Sequence, residues 1–172
     1  ATLEYSLDSS NGIDGTWTSI SLTGYSWTAA AVDLGATEGA RSLWVRASDA
    51  LNDPTTKHIA FTYDAGPPTL TETDSSLGTS LVIRNAAVNF GGTVGDTNAL
   101  ARLELSVNGG AATTLTTSPG AWTYTLPATA DGTFNLVFTA YDVAGRASTP
   151  IERHVMIDAT KPATPVFTST VG

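Results

Sequence analysis

The chain contains no cysteine, which removes disulfides, thiolate metal sites and thiol nucleophiles from consideration. Basic residues are scarce: 8 Lys and Arg stand against 16 Asp and Glu, a net charge of −8. Nucleic acid and anionic membrane surfaces are bound through basic patches that displace counterions, so neither is an expected partner. No apolar run approaches the roughly 18 residues of a spanning helix, and no membrane insertion is expected in this segment. Helical periodicity is scarce too. The two histidines, His58 and His154, fall at non-equivalent strand positions without Ser-His-Asp or metal-ligand spacing around either. Gly91-Gly92 and Gly109-Gly110 open no helix that could cradle phosphate. No catalytic residue is assigned, and the chain reads as non-enzymatic.

What is present is alternation and repetition. Hydrophobic residues make up 41% of the chain, enough to build cores, against a background of Thr, Ser, Gly and Ala that suits an extracellular β-rich protein. Leu3, Tyr5 and Leu7 alternate with polar neighbours, as do Leu43, Val45 and Ala47, and Ile59, Phe61 and Tyr63. The same patterns return at Leu103, Leu105 and Val107, at Leu136, Phe138 and Ala140, and at Val155 and Ile157. Asp64 before Pro68 recurs as Asp158 before Pro162, 94 residues on, the period of a small-domain array. Residues 1–64 are expected to form a partial unit, 65–160 a complete one, and 161–172 the stub of another.

Within the complete unit the expected strands are Thr69–Thr71, extended by Ser80–Ile83, then Ala87–Val94 and Leu103–Val107. A middle strand or pair follows at Ala112–Leu115 and Ala121–Leu126, then Thr133–Asp142 and Ile151–Asp158. Asn108-Gly109-Gly110 supplies hairpin-turn chemistry. Short strands with turn signals every 8–12 residues argue for antiparallel sandwiches. The fold class is therefore all-β, with tandem immunoglobulin-like sandwiches. The first unit has no counterpart of the opening two strands, A and B. Three explanations stay open: preceding residues absent from this sequence, a strand lent by a second copy from Lys161–Gly172, or closure by the Ile20–Leu34 segment.

The ordered set Val88-Asn89-Phe90-Gly91-Gly92-Thr93-Val94-Gly95-Asp96, Trp122-Thr123-Tyr124-Thr125-Leu126-Pro127, Asp131-Gly132-Thr133-Phe134, Ala140-Tyr141-Asp142-Val143-Ala144-Gly145 and Ile157-Asp158-Ala159-Thr160-Lys161-Pro162 resembles the bacterial immunoglobulin-like repeat. The resemblance covers nearly all of Pro67–Pro162. Arg146, where the family usually has Asn, departs from it. The family is strung in arrays in large bacterial adhesins and biofilm-associated surface proteins. That implies an extracellular, non-catalytic spacer whose partners are neighbouring repeats of the same chain. A module binding glycan or host protein, and an accessory domain of a secreted polysaccharide-degrading enzyme, stay open as alternatives.

In such a sandwich the B–C turn carries Asp96 and the F–G turn starts at Asp142, at the pole where the chain enters past Asp64. Three carboxylates converging there suit Ca²⁺, which takes 6–8 oxygen ligands. The resemblance supports this, because some relatives with this linker pattern bind Ca²⁺ between units. The competing reading makes Asp64 a local turn cap and pairs Asp142 with Arg146. Among the aromatics Trp17, Tyr25, Trp27, Trp44, Trp122 and Tyr124, Trp44 is the best candidate for a ligand-facing ring, with Trp17 second. Trp27 and Trp122 lie 95 residues apart at aligned positions, which favours a shared structural role.

Overall fold

The computed structural model describes residues 1–24, 26–29, 31–73, 80–83, 87–127 and 131–167. Tyr25, and residues 168–172 of the expected C-terminal stub, lie outside them. The regular elements among the described residues are all strands, and the chain forms two compact units, Ala1–Gly66 and Pro67–Gly172. No helix among the described residues is long and apolar enough to cross a membrane.

The second unit is a two-sheet antiparallel sandwich of immunoglobulin type. Its strands are β7 (Thr69–Glu72), β8 (Ser80–Ile83), β9 (Val88–Gly95), β10 (Leu100–Val107), β11 (Thr113–Leu115), β12 (Thr117–Ser118), β13 (Ala121–Leu126), β14 (Gly132–Asp142) and β15 (Ile151–Ile157). One sheet has the order β11-β10-β14-β15-β8 and the other β12-β13-β9-β7. One feature that the sequence left open is resolved, and one differs from the expectation. The middle segment divides between sheets, β11 pairing with β10 and β13 with β9. Ser80–Ile83 does not prolong β7; it joins the opposite sheet and runs parallel to β15, Ser80 beside His154 and Ile83 beside Ile157.

Alternation makes this core. Along β14, Leu136, Phe138 and Ala140 are wholly buried, and they meet Val88, Phe90 and Val94 from β9 and Trp122 from β13. Each such side chain contributes about 1.5–3 kcal/mol on burial. Trp122 packs against Phe138 at 4.8 Å between ring centroids and donates its indole N–H to the Thr71 carbonyl at 3.0 Å, tying β7 to the core. Gly92 permits that closeness. A Cβ there would lie 1.9 Å from the Thr71 carbonyl oxygen, so no larger residue fits without moving β7. The β10–β11 turn uses Asn108 and Gly109 at positive φ, 51° and 70°, the backbone twist that a tight hairpin requires.

The first unit comprises β1 (Thr2–Ser6), β2 (Thr18–Ser19), β3 (Leu22–Thr23), β4 (Ser26–Trp27), β5 (Gly39–Ser48) and β6 (Thr55–Tyr63). Its main sheet has the order β2-β1-β5-β6, and β3-β4 is a small separate hairpin. The polar face is covered by the loop between β1 and β2. Asp8 and Asp14 hold that loop by accepting hydrogen bonds from Ser6, Thr16, Ser9 and Ser10. Gly12, at φ 82°, sits against the Trp44 ring, where a Cβ would come within 2.7 Å. On the apolar face Ile20, 9% exposed, is, among the described residues, the one hydrophobic residue of this unit that counts as buried. The Ile20–Leu34 segment thus supplies a buried side chain and the short hairpin, but among the described residues it does not form an opposing sheet.

Candidate functional site

Asp96 and Asp142 are brought together within the second unit. Asp96 follows β9, and its Oδ1 accepts the amides of Asn98 at 2.8 Å and Ala99 at 3.0 Å, shaping the turn into β10. Asp142 closes β14 opposite Leu100, the first residue of β10. The Val143 amide donates to the Ala99 carbonyl at 3.2 Å, stitching the two turns to each other. One carboxylate oxygen of Asp96 and one of Asp142 consequently lie within 4.8 Å.

Asp142 is only 1% exposed, an unusual place for a carboxylate. Its Oδ1 accepts the Arg146 amide at 2.8 Å, closing the β14–β15 turn, with Gly145 at φ 87°. Its Oδ2 is buried and accepts no hydrogen bond among the described residues. A buried carboxylate oxygen without a donor is costly, and a cation is one of the few groups that offsets it. A second carboxylate close by adds repulsion that a divalent cation would relieve. The two carboxylates offer oxygen donors only, which fits a hard cation such as Ca²⁺ and not a thiolate- or imidazole-seeking metal.

Asp64 belongs to the first unit, directly after β6 and before Ala65, whose amide donates to Glu38 Oε1 at 2.7 Å. Trp44 is half-buried, stacked on His58 with ring centroids 4.3 Å apart and lying against Gly12. Trp17 carries the Arg46 guanidinium 4.0 Å above its ring, and its indole N–H donates to the Asp14 carbonyl at 2.9 Å. Arg46 also pairs with Glu4 at 2.8 Å. Trp17 and Trp44 therefore each take part in packing of the polar face.

Two features escaped the sequence reading. Glu72 of β7, whose side chain is 5% exposed, forms an ion pair with Arg153 of β15 across the sandwich. Both lie in phase with inward-facing neighbours, Glu72 with Leu70 and Arg153 with Val155 and Ile157, and nothing local signals the partnership. Trp27 differs from its aligned counterpart: Trp122 is 2% exposed and Trp27 48%. The physical reason is local: Trp27 belongs to a short two-stranded hairpin, whereas Trp122 lies within the four-stranded sheet of the sandwich.

A family model described as "Bacterial Ig-like domain" matches residues 69–159. No curated protein matches the chain. Among solved structures, the fibronectin(III)-like modules of Clostridium thermocellum CbhA share 18% identity with a TM-score of 0.45, covering 98% of this chain and 83% of that one. Dimeric latent PorU from Porphyromonas gingivalis shares 14% at a TM-score of 0.46, covering 94% of this chain and 20% of that one. A Ca²⁺-stabilized adhesin that helps an Antarctic bacterium reach out and bind ice shares 22% at 0.33, covering 94% and 41%. The chain thus spans well under half the length of the last two.

Proposed function

Because this chain belongs to the bacterial Ig-like domain family, whose model matches more than half of its length, we propose that it is a non-catalytic, load-bearing spacer of an extracellular bacterial surface protein. The observation that carries this reading is the pairing of β8 with β15. These strands lie near the two ends of the second unit and run parallel. Tension applied along the chain therefore loads their hydrogen bonds together in shear. Peeling an antiparallel hairpin breaks such bonds one at a time, so shear raises the barrier that governs forced unfolding. The first unit, among its described residues, lacks such a pair, because β5 separates β1 from β6. Extension of single molecules by their ends tests the reading. The second unit should hold to distinctly higher force than the first, and equal forces would refute a load-bearing role.

The same reading gives Asp96 and Asp142 the role of calcium ligands. Asp64 is the third ligand, on the ground of chain connectivity. It precedes Thr69 by five residues, a tether of at most about 18 Å, and Thr69 pairs with Gly95, the neighbour of Asp96. Bound Ca²⁺ would supply charge neutralisation for carboxylates that otherwise repel. Melting the intact chain in excess Ca²⁺ and in chelator should give midpoints several degrees apart. Identical midpoints up to millimolar Ca²⁺ would remove calcium from the account.

A further inference from the structure

Both units end in the same way. In the first, Gly39 at the head of β5 lies opposite Tyr63, the last residue of β6. In the second, Gly132 at the head of β14 lies opposite Ile157, the last residue of β15. Backbone pairing stops there, and a side chain carries the connection further. Glu38, one residue before Gly39, accepts through Oε1 the amide of Ala65, two residues after Tyr63, at 2.7 Å. Asp131, one residue before Gly132, accepts through Oδ1 the amide of Ala159, two residues after Ile157, at 2.5 Å. Such carboxylate–amide bonds are charge-assisted and stronger than the neutral ladder bonds they follow.

The two units reach this ending with different residues. In the second, Thr160 donates its hydroxyl to Asp131 Oδ2. That bond first, and the Ala159 amide second, hold the Asp131 carboxyl below its ordinary pKa. The residue aligned with Thr160 in the first unit is Gly66, which has no hydroxyl. There the longer Glu38 lies along the backbone instead, so that a Cβ at Gly66 would sit 3.1 Å from its Oε1. Aspartate with threonine and glutamate with glycine are two solutions to one requirement.

We propose that Glu38 and Asp131 are linker latches, positioning residues that bind the departing chain to the unit it leaves. With Ala65 latched, only Gly66, Pro67 and Pro68 separate it from Thr69 of β7. The ring of each proline fixes its φ, so Gly66 is the one wide-ranging joint left in the linker. A spacer that keeps its direction under load needs few such joints. The purpose of the latch rests on the spacer reading, whereas its existence does not. Amide exchange reads the latch and pulling force reads the spacer, so the two can fail separately.

The test uses the full 172-residue chain, ¹⁵N-labelled, with and without substitutions at the latch. Glu38→Ala should speed exchange of the Ala65 amide about tenfold or more. It should also lower the order parameter of the Gly66 amide from about 0.85 toward about 0.6, while Leu43 in β5 keeps its protection. Glu38→Asp should do the same. Adding Gly66→Thr to Glu38→Asp should restore both readings, because it supplies the hydroxyl that Thr160 gives to Asp131. Asp131→Ala should speed exchange at Ala159 and leave Ala65 unchanged. An Ala65 amide that exchanges no faster in Glu38→Ala, or a Gly66 amide that stays as rigid, would overturn the proposal. Loss of Leu43 protection in that variant would also overturn it, since Glu38 would then hold the sheet and not the linker. A double variant no better than Glu38→Asp alone would refute the equivalence of the two latches.

Discussion

Substituting phenylalanine at the two aligned tryptophans should have very unequal consequences. At Trp122 the change removes an indole N–H that donates to the Thr71 carbonyl at 3.0 Å and opens a void beside Phe138 in a site 2% exposed. Loss of the hydrogen bond with its carbonyl left buried costs about 1–2 kcal/mol. The void from the missing ring costs about 1–2 kcal/mol more. Trp122→Phe should therefore destabilise the second unit by about 2–4 kcal/mol, which lowers the midpoint of a domain this size by roughly 10–25 °C. At Trp27, 48% exposed, the same change should cost under about 1 kcal/mol. Two units need not unfold together, so a whole-chain melt mixes them. Native-state hydrogen exchange at the Leu136 and Phe138 amides reads the second unit alone, and Trp122→Phe should accelerate it about 30- to 1,000-fold. Equal effects of the two substitutions would refute the claim that the aligned positions differ in burial and partners.

Gly92→Ala should expel β7, because its Cβ would lie 1.9 Å from the Thr71 oxygen and 2.8 Å from Glu72 Cα, both backbone atoms. The cost is about 3 kcal/mol or more, read as lost amide protection in β7 while β14 keeps its own. Arg153→Met should cost about 3 kcal/mol by stranding the Glu72 carboxylate, and adding Glu72→Met should restore most of that; a thermal midpoint for the double variant no higher than for the single one would count against the pair. Hydrogen bonds from the Ser10 hydroxyl, the Ser10 amide and the Ser9 hydroxyl lower the Asp14 pKa from its ordinary 3.8 to about 2. Since the folded value is the depressed one, the stabilisation is complete above about pH 4 and is lost as pH falls through about 2. An NMR titration of the Asp14 carboxyl with its midpoint at 3.8 would contradict the loop geometry.

The sandwich was legible because local patterns and global fold agree. Leu136, Phe138 and Ala140 could only serve one buried face, and Asn108-Gly109 could only turn a strand tightly. Long-range choices were not legible. Ser80–Ile83 carries the same alternation whether it prolongs β7 or crosses to β15, and pairing energy across the sandwich decides the matter. Sequence likewise marks Asp142 as a turn residue without saying that it is buried, because burial depends on the register that sets it opposite Leu100. Trp44 alternates outward from Leu43 and Val45, yet the β1–β2 loop folds back so that Gly12 meets its ring. Loops of that length leave no periodic signature.

The load-bearing claim is tested most directly by single-molecule extension in two pulling geometries. With handles at residues 67 and 158, the β8–β15 bonds are sheared, and the second unit should break in one step that lengthens the chain by about 300 Å. With handles placed across the β10–β11 turn, the strands are peeled instead, and the force should fall severalfold. Resistance that is the same in both geometries would contradict the account.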